Sequence, residues 1–260
     1  MHRYRVFCDF KNIAGDKINI SDPGQIHHIK DVLRYKINDK IEVCDKQGNV
    51  YLSVIEKMTA ENMELRICLE TERREGIVSC SNGAQAERKI KITAACAIPK
   101  KARFDDIVDK LTQLGVERII PLETERVIIR LDQDKRISRL SRWRKIALNA
   151  AKQSQRLTLP AIDAITDIKD VLSKQEDFDL KLIPNLIDGA VTLGEVFVDN
   201  PKVNSVLILI GPEGDFTPRE IAAAKKAGCI PVSLGKLILR VDTAVIAVTS
   251  FINFFMPPEV

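Results

Sequence analysis

Five consecutive apolar residues, Val206-Leu207-Ile208-Leu209-Ile210, stop abruptly at Gly211-Pro212. A run this short, β-branched and uninterrupted predicts a strand buried on both faces, the kind found in parallel sheets covered by helices. In open sheets of that type ligands bind beyond the carboxyl ends of the strands, so the loop at Gly211 is a candidate site. Gly211 and Gly214 remove side chains where a backbone has to approach a ligand closely, and Pro212 stiffens the turn between them. The helix that follows is punctuated at both ends. Thr217 is a good N-cap, Pro218 fits the first turn, Glu220 completes a capping box, and Gly228 fits the stop, which predicts a helix over 218–227.

A second apolar segment, Ile230 to Leu234, ends in Gly235, and a last helix is expected from about Thr243 to Phe255. Upstream, strands alternate with helices from Ile90 onward, which is the pattern of a parallel α/β sheet. Strands are expected at 90–98, 118–121 and 180–183, with helices ending near Gly115 and spanning 139–155. In the first of these helices Phe104, Ile107, Val108, Leu111 and Leu114 recur at helical spacing and form a core face. In the second, Trp143 lines an apolar face and reads as core or interface ahead of a base-stacking platform.

The amino-terminal third is different. Short alternating runs at 4–10, 17–20, 40–44, 50–57 and 63–69 predict strands, with a Gly48-Asn49 hairpin turn and one short helix over 26–33. A small β-barrel is the natural outcome. The polar segment 70–89 carries Gly76 and Gly83 and marks the boundary, giving domains at 1–75 and 84–260.

At 45% apolar residues over 260 positions the chain can bury a substantial core, and disorder is excluded as a description of the whole. A net charge of +4 permits a nucleic-acid partner without arguing for one. Its distribution says more: ten basic residues lie between Arg126 and Arg156, against Asp132 and Asp134 only. Alone, that run reads as a solvated helix face; a phosphate-backbone substrate would reverse the preference. The six cysteines include no C-x-x-C pair and the three histidines add no zinc spacing, so no metal site is expected. Reduced thiols, no signal-peptide core after Met1, and an apolar stretch at 244–256 too short for a bilayer together predict a soluble cytoplasmic protein.

The two glycine-bearing segments, LILIGPEGDFTPREI and SLGKLILRVDTA, resemble the carboxyl-terminal signature of the RsmE family. These are SPOUT-class methyltransferases that act on N3 of a uridine in 16S ribosomal RNA. Further likeness lies in the His-x-x-x-Val-Leu-Arg segment at His28 to Arg34, in Lys110 to Val116, in Thr124-Glu125-Arg126, and in Gln153-Ser154-Gln155-Arg156 before Pro160. The resemblance implies a PUA-like amino-terminal barrel that holds RNA and a trefoil-knotted, mostly parallel SPOUT domain that binds S-adenosylmethionine. It also implies a homodimer through the last helix, with Phe251, Phe254 and Phe255 on its apolar face, and the 30S subunit or its RNA as partner. Carried over residue by residue, Arg5, His28, Arg34, Arg126 and Arg156 become candidate RNA contacts. Without the resemblance, His28 would read as a capping or core histidine and Arg34 as a charge set against the helix dipole.

The cofactor cradle expected on this reading is Ile210, Gly211, Glu213 and Gly214 with Leu234, Gly235, Ile238 and Leu239. Uracil N3 is a poor nucleophile while protonated, so a site must take that proton and steady the charge that spreads to the carbonyl oxygens. Arg240 suits the second task because guanidinium is permanently charged and offers several donors. Glu213 and Asp242 are both candidates for the proton or for orienting the cofactor. Four positions depart from the family pattern: Gln113, Lys152 and Asp215 replace Glu, an acid and Gly, and Asp242 stands one methylene short of Glu. In addition, Pro184-Asn185 stands where many relatives carry His or Glu. The competing readings are a non-catalytic RNA-binding protein that keeps the fold and a Rossmann-type methyltransferase, the second opposed by the absence of any G-x-G-x-x-G.

Overall fold

The computed structural model describes residues 5–8, 12–45, 49–71, 90–99, 103–126, 132–174, 178–185 and 189–255. The chain divides into two compact units, one of Met1–Ala84 with Ala151–Leu159, the other of Gln85–Ala150 with Pro160–Val260.

The first unit is built on a six-stranded sheet: β1 (Arg5–Cys8), β2 (Ile13–Ala14), β3 (Lys17–Ile20), β4 (Lys40–Asp45), β5 (Val50–Met58) and β6 (Met63–Thr71), in the order β1-β4-β5-β6-β3-β2. The β1–β4 pairing is parallel and the others are antiparallel. Register shifts at Leu52/Ser53 and Ile55/Lys57 interrupt the β5–β6 ladder, and such bulges bend and twist a strand so that a small sheet can curl. The expected hairpin between β4 and β5 is present, although Gly48 lies outside the described residues. Asp45, fully buried, accepts from the Asn49 backbone at 2.9 Å, the Asn49 amide at 2.7 Å and the Tyr51 hydroxyl at 3.3 Å.

The expected single helix over 26–33 is replaced by two segments. α1 (Pro23–His27) starts earlier because Asp22 accepts the Gln25 N–H and Pro23 fits the first turn. It runs into a π-helix, His28–Val32, closed by the Leu33 N–H donating to the His28 carbonyl at 2.9 Å. Arg34 then sits at φ 58°, in the left-handed region that non-glycine residues seldom occupy.

The second unit is built on a parallel sheet. Its strands are β7 (Lys91–Ala97), β8 (Arg118–Glu123), β9 (Ala161–Ile162), β10 (Thr166–Asp167), β11 (Leu180–Pro184), β12 (Val191–Thr192), β13 (Ser205–Ile210) and β14 (Ile230–Ser233). The order is β10-β8-β7-β13-β11-β14-β12, with β9 also on β8. Each pairing among the described residues is parallel, as the alternation of strands and helices predicts. The helices are α2 (Arg103–Gln113), α3 (Gln133–Gln153), α4 (Ile168–Ser173), α5 (Leu193–Asp199), α6 (Pro218–Lys226) and α7 (Val241–Phe255).

Strand β13 is buried on both faces, as its composition requires. Val206, Ile208 and Ile210 belong to one core cluster with Phe104, Trp143, Val245 and Ile252, whereas Leu207 and Leu209 belong to another with Phe216 and Ala224. Trp143 is core: it is 1% exposed, its ring lies 4.5 Å from that of Phe104, and its indole N–H donates to Asp105 at 3.1 Å. α3 begins six residues before the expected Arg139, because Asp132 accepts the Lys135 N–H at 2.9 Å and starts the helix there.

Candidate active site

Because these strands run parallel, their carboxyl ends share one edge, and the sheet order decides which loops become neighbours. β13 delivers Gly211, β11 delivers Asn185 and β14 delivers Leu234, in adjacent positions. β8 delivers Thr124 at the same edge, two strands from β13.

The Gly211 loop is held by its own backbone. The Asp215 N–H donates to the Pro212 carbonyl at 2.9 Å, and Asp215 takes φ 59° while its carboxylate accepts the Phe216 N–H at 2.7 Å. An Asp where the family pattern has Gly is therefore accommodated by a local hydrogen bond that suits its short polar side chain. Phe216, 2% exposed, anchors the loop in the core. Gly211 sits in a tight place: a Cβ there would lie 3.1 Å from Phe216 and from the Asp215 carboxylate, closer than most side chains pack.

Helix α6 starts with the expected capping box. Thr217 accepts the Glu220 N–H, and Glu220 in turn accepts from the Thr217 backbone at 2.7 Å. Glu220 is 3% exposed, and its other carboxylate oxygen accepts the Glu125 N–H at 2.9 Å. From the same loop the Arg126 guanidinium donates to the Gly214 carbonyl. Two contacts thus tie the loop after β8 to the glycine loop, and sequence reasoning found neither.

In the second loop the Gly235 N–H donates to the Ser233 hydroxyl at 3.2 Å, and Gly235 takes φ 105°, a conformation that strains any side chain. Leu234 and Leu239 pack against the core, while Leu237 and Ile238 are 78% and 84% exposed. Arg240 is exposed, and its carbonyl accepts the Ala244 N–H at 2.8 Å as α7 begins. Asp242 lies in the first turn of α7, where a carboxylate is favoured by the helix dipole. Its Oδ1 is buried and has no hydrogen-bond partner. The same is true of Thr124 Oγ1 and Asn185 Nδ2.

The cradle residues Ile210, Gly211, Glu213, Gly214, Leu234, Gly235, Ile238 and Leu239 are therefore gathered on two neighbouring loops, with Arg240 and Asp242 following the second. Ile210 itself is core, 3% exposed, so only its backbone faces the edge. The candidate RNA contacts lie on different elements. His28 lies in the π-helix, Arg34 is exposed after it, and Arg156 belongs to the first unit. The Arg5 side chain lies outside the described residues. Arg126 alone belongs to the strand-end loops, and there it serves the glycine loop. Among the described residues no cluster of His, Cys, Asp and Glu could hold a metal, and no helix is long and apolar enough to cross a membrane.

This arrangement, a parallel sheet with two glycine-bearing strand-end loops preceded by a curled sheet, is the one that RNA methyltransferases with a PUA domain share, and the chain matches both of their domain families. Residues 86–253 match the RNA methyltransferase domain family and residues 20–68 the RNA methyltransferase PUA domain family. The chain belongs to the ribosomal RNA small subunit methyltransferase E family. It is 33% identical to that enzyme of Mesomycoplasma hyopneumoniae, over 85% of this chain and 87% of the relative, and 28% identical to that of Bacillus subtilis, over 88% and 87%. Among solved structures it resembles ribosomal RNA small subunit methyltransferase E of Neisseria gonorrhoeae bound to S-adenosyl methionine. That likeness has a TM-score of 0.82 at 29% identity over 98% of each chain.

Proposed function

We propose that this protein methylates N3 of a uridine in 16S ribosomal RNA, using S-adenosylmethionine held between the Gly211 and Leu234 loops. One observation carries the placement: two glycine-bearing loops flank the end of β11, and the edge they share contains buried polar atoms, Asn185 Nδ2 and Asp242 Oδ1, that the protein leaves without partners. Gly211, Gly214 and Gly235 carry no side chains of their own, so the main chain of these loops suits the polar edges of an adenosine, and Leu234 and Leu239 suit its faces. The residues present therefore fit the cofactor.

The cofactor supplies an electrophilic methyl on a sulfonium. The protein has to orient the uracil, exclude water and manage the charge on its carbonyl oxygens. Arg240, exposed at the start of α7, is the group we assign to that charge. Asp242, whose Oδ1 lacks a partner, is assigned to the N3 proton or to orienting the cofactor, and exposed Glu213 is the other carboxylate at the same edge. Arg5, His28, Arg34 and Arg156 in the first unit are assigned to RNA, and the amino-terminal domain to RNA binding.

Two further features belong to this reading. β14 lies between β11 and β12 in the sheet although both precede it in the chain, an order that supports a trefoil knot. The exposed side chains of Leu237, Ile238 and Phe254 support a homodimer through α7, in a cytoplasmic enzyme.

The test is calorimetric titration of the protein with S-adenosylmethionine, followed by transfer of labelled methyl to 30S subunits and to free 16S RNA. Saturable binding and methylation at uridine N3 are expected, with binding abolished in Gly211→Trp, whose side chain fills the loop. A folded protein that binds no cofactor would overturn the proposal and favour a non-catalytic RNA-binding role. Sedimentation checks the dimer, which Phe254→Asp should dissociate.

A further inference from the structure

Asn185 is 8% exposed, and its Nδ2 is buried without a hydrogen-bond partner. Buried side-chain amides in native proteins are almost always partnered, so an orphan points to a group that arrives from outside. Its backbone is not loose. The Asn185 N–H donates to the Val232 carbonyl at 3.0 Å, continuing the β11–β14 ladder to its last rung and fixing the Cα between the two glycine loops. Strand alternation sets it on the face of Ile183, which shares a buried cluster with Phe216 of the Gly211 loop.

We infer that the Asn185 carboxamide recognises the nucleoside half of the sulfonium cofactor, an inference that rests on the cofactor site proposed above. The chemistry selects that half. A carboxamide presents a donor and an acceptor side by side, the pattern that matches an adenine edge, whereas the carboxylate and ammonium of the methionine half call for charged or multiple main-chain partners. The residue thus acts on affinity and on the choice of base, and takes no part in the transfer.

The experiment titrates wild type, Asn185→Leu and Asn185→Asp with 5′-methylthioadenosine, S-adenosylhomocysteine and 5′-methylthioinosine, and records the melting temperature of each ligand-free protein. Asn185→Leu is expected to weaken 5′-methylthioadenosine and S-adenosylhomocysteine equally, by about tenfold to a hundredfold, and to melt no lower than wild type because an orphaned polar group has been removed. Wild type should prefer the adenine over the hypoxanthine ligand, and Asn185→Asp, which keeps the size and removes the donor, should erase that preference. This second variant gives the answer if the leucine variant fails to fold. Affinities within twofold of wild type, or a weakening confined to S-adenosylhomocysteine, would overturn the inference while leaving the cofactor site standing. A wild type that binds none of the three overturns the site itself, and the inference with it.

Discussion

The Glu220 carboxylate accepts the backbone N–H of Glu125, 95 positions away, with the same side chain that closes the capping box on Thr217. One buried acid therefore starts α6 and fastens the loop after β8 to it. Arg126, the next residue, reaches the Gly214 carbonyl from that fastened loop. The glycine loop is consequently shaped from outside as well as by its own turn.

Glu220→Ala should cost more than a missing cap. The cap is worth about 1 kcal/mol, and the stranded Glu125 N–H adds about 1–3 kcal/mol. Denaturant unfolding should therefore show a destabilisation of roughly 2–4 kcal/mol, against about 1 kcal/mol for Thr217→Ala. Equal effects in the two variants would show that the hydrogen bond to Glu125 contributes nothing.

Arg126→Ala should weaken cofactor binding by about three- to tenfold, since one charge-assisted hydrogen bond to the loop disappears. A role at RNA phosphate has a different signature: the slope of log affinity for RNA against log salt would become shallower by about 1 for each phosphate no longer neutralised. An unchanged slope with weaker cofactor binding is the expected pair of results, and the reverse pair would return Arg126 to the RNA.

Arg240→Ala should lower the rate of methyl transfer by about a hundredfold to a thousandfold, the usual effect of removing one donor to a developing oxyanion. Cofactor affinity should stay within a few fold, because the guanidinium is assigned to the uracil. Arg240→Lys should recover only part of the rate, since a single ammonium cannot reproduce the planar fork. Retention of full activity in Arg240→Ala would remove the residue from the mechanism.

Alkaline stability should carry the imprint of a buried thiol. Burial pushes the Cys229 thiol from its ordinary 9.0 up to about 11, with Lys181 opposing in part. Between about pH 9 and 11 the unfolded chain has given up that proton and the folded chain has kept it, so stability falls as pH rises through this window. In Cys229→Ala the decline over the same range should be shallower, as read by urea midpoints. Cys96, fully buried, is raised for the same reason and adds its own decline equally in both proteins, so the difference between them reports Cys229.

The parts of this molecule that are legible in the sequence are those specified locally. Thr217, Pro218 and Glu220 announce α6, and the run at 206–210 announces β13, because caps and burial are written in adjacent residues. α5 is just as legible, although it is absent from the expected helices: Thr192 and Glu195 form a second capping box. The π-helix leaves no mark, since one extra residue per turn changes no apolar spacing that a five-residue segment can display. Short strands such as β9, β10 and β12, two residues each, exist only through their neighbours in the sheet. The same holds at the site. Glycines and Arg240 stand out by type, whereas Asn185 and Arg126 acquire their meaning from strand order, which brings together positions that the chain keeps far apart.

Strand β7 pairs with β13 through residues 114 positions apart, Lys91 with Ser205 and Cys96 with Ile210. At synthesis speeds of about 5–20 residues per second, β7 leaves the ribosome roughly 6–23 s before its partner exists. Its other edge is occupied early by β8, but the edge reserved for β13 stays open, and an open edge invites pairing with another chain. The sheet thus closes late, and everything that depends on the β13 and β14 loops waits until the chain has been made past Ile210 and Ser233. Until then a newly made chain carries an incomplete sheet.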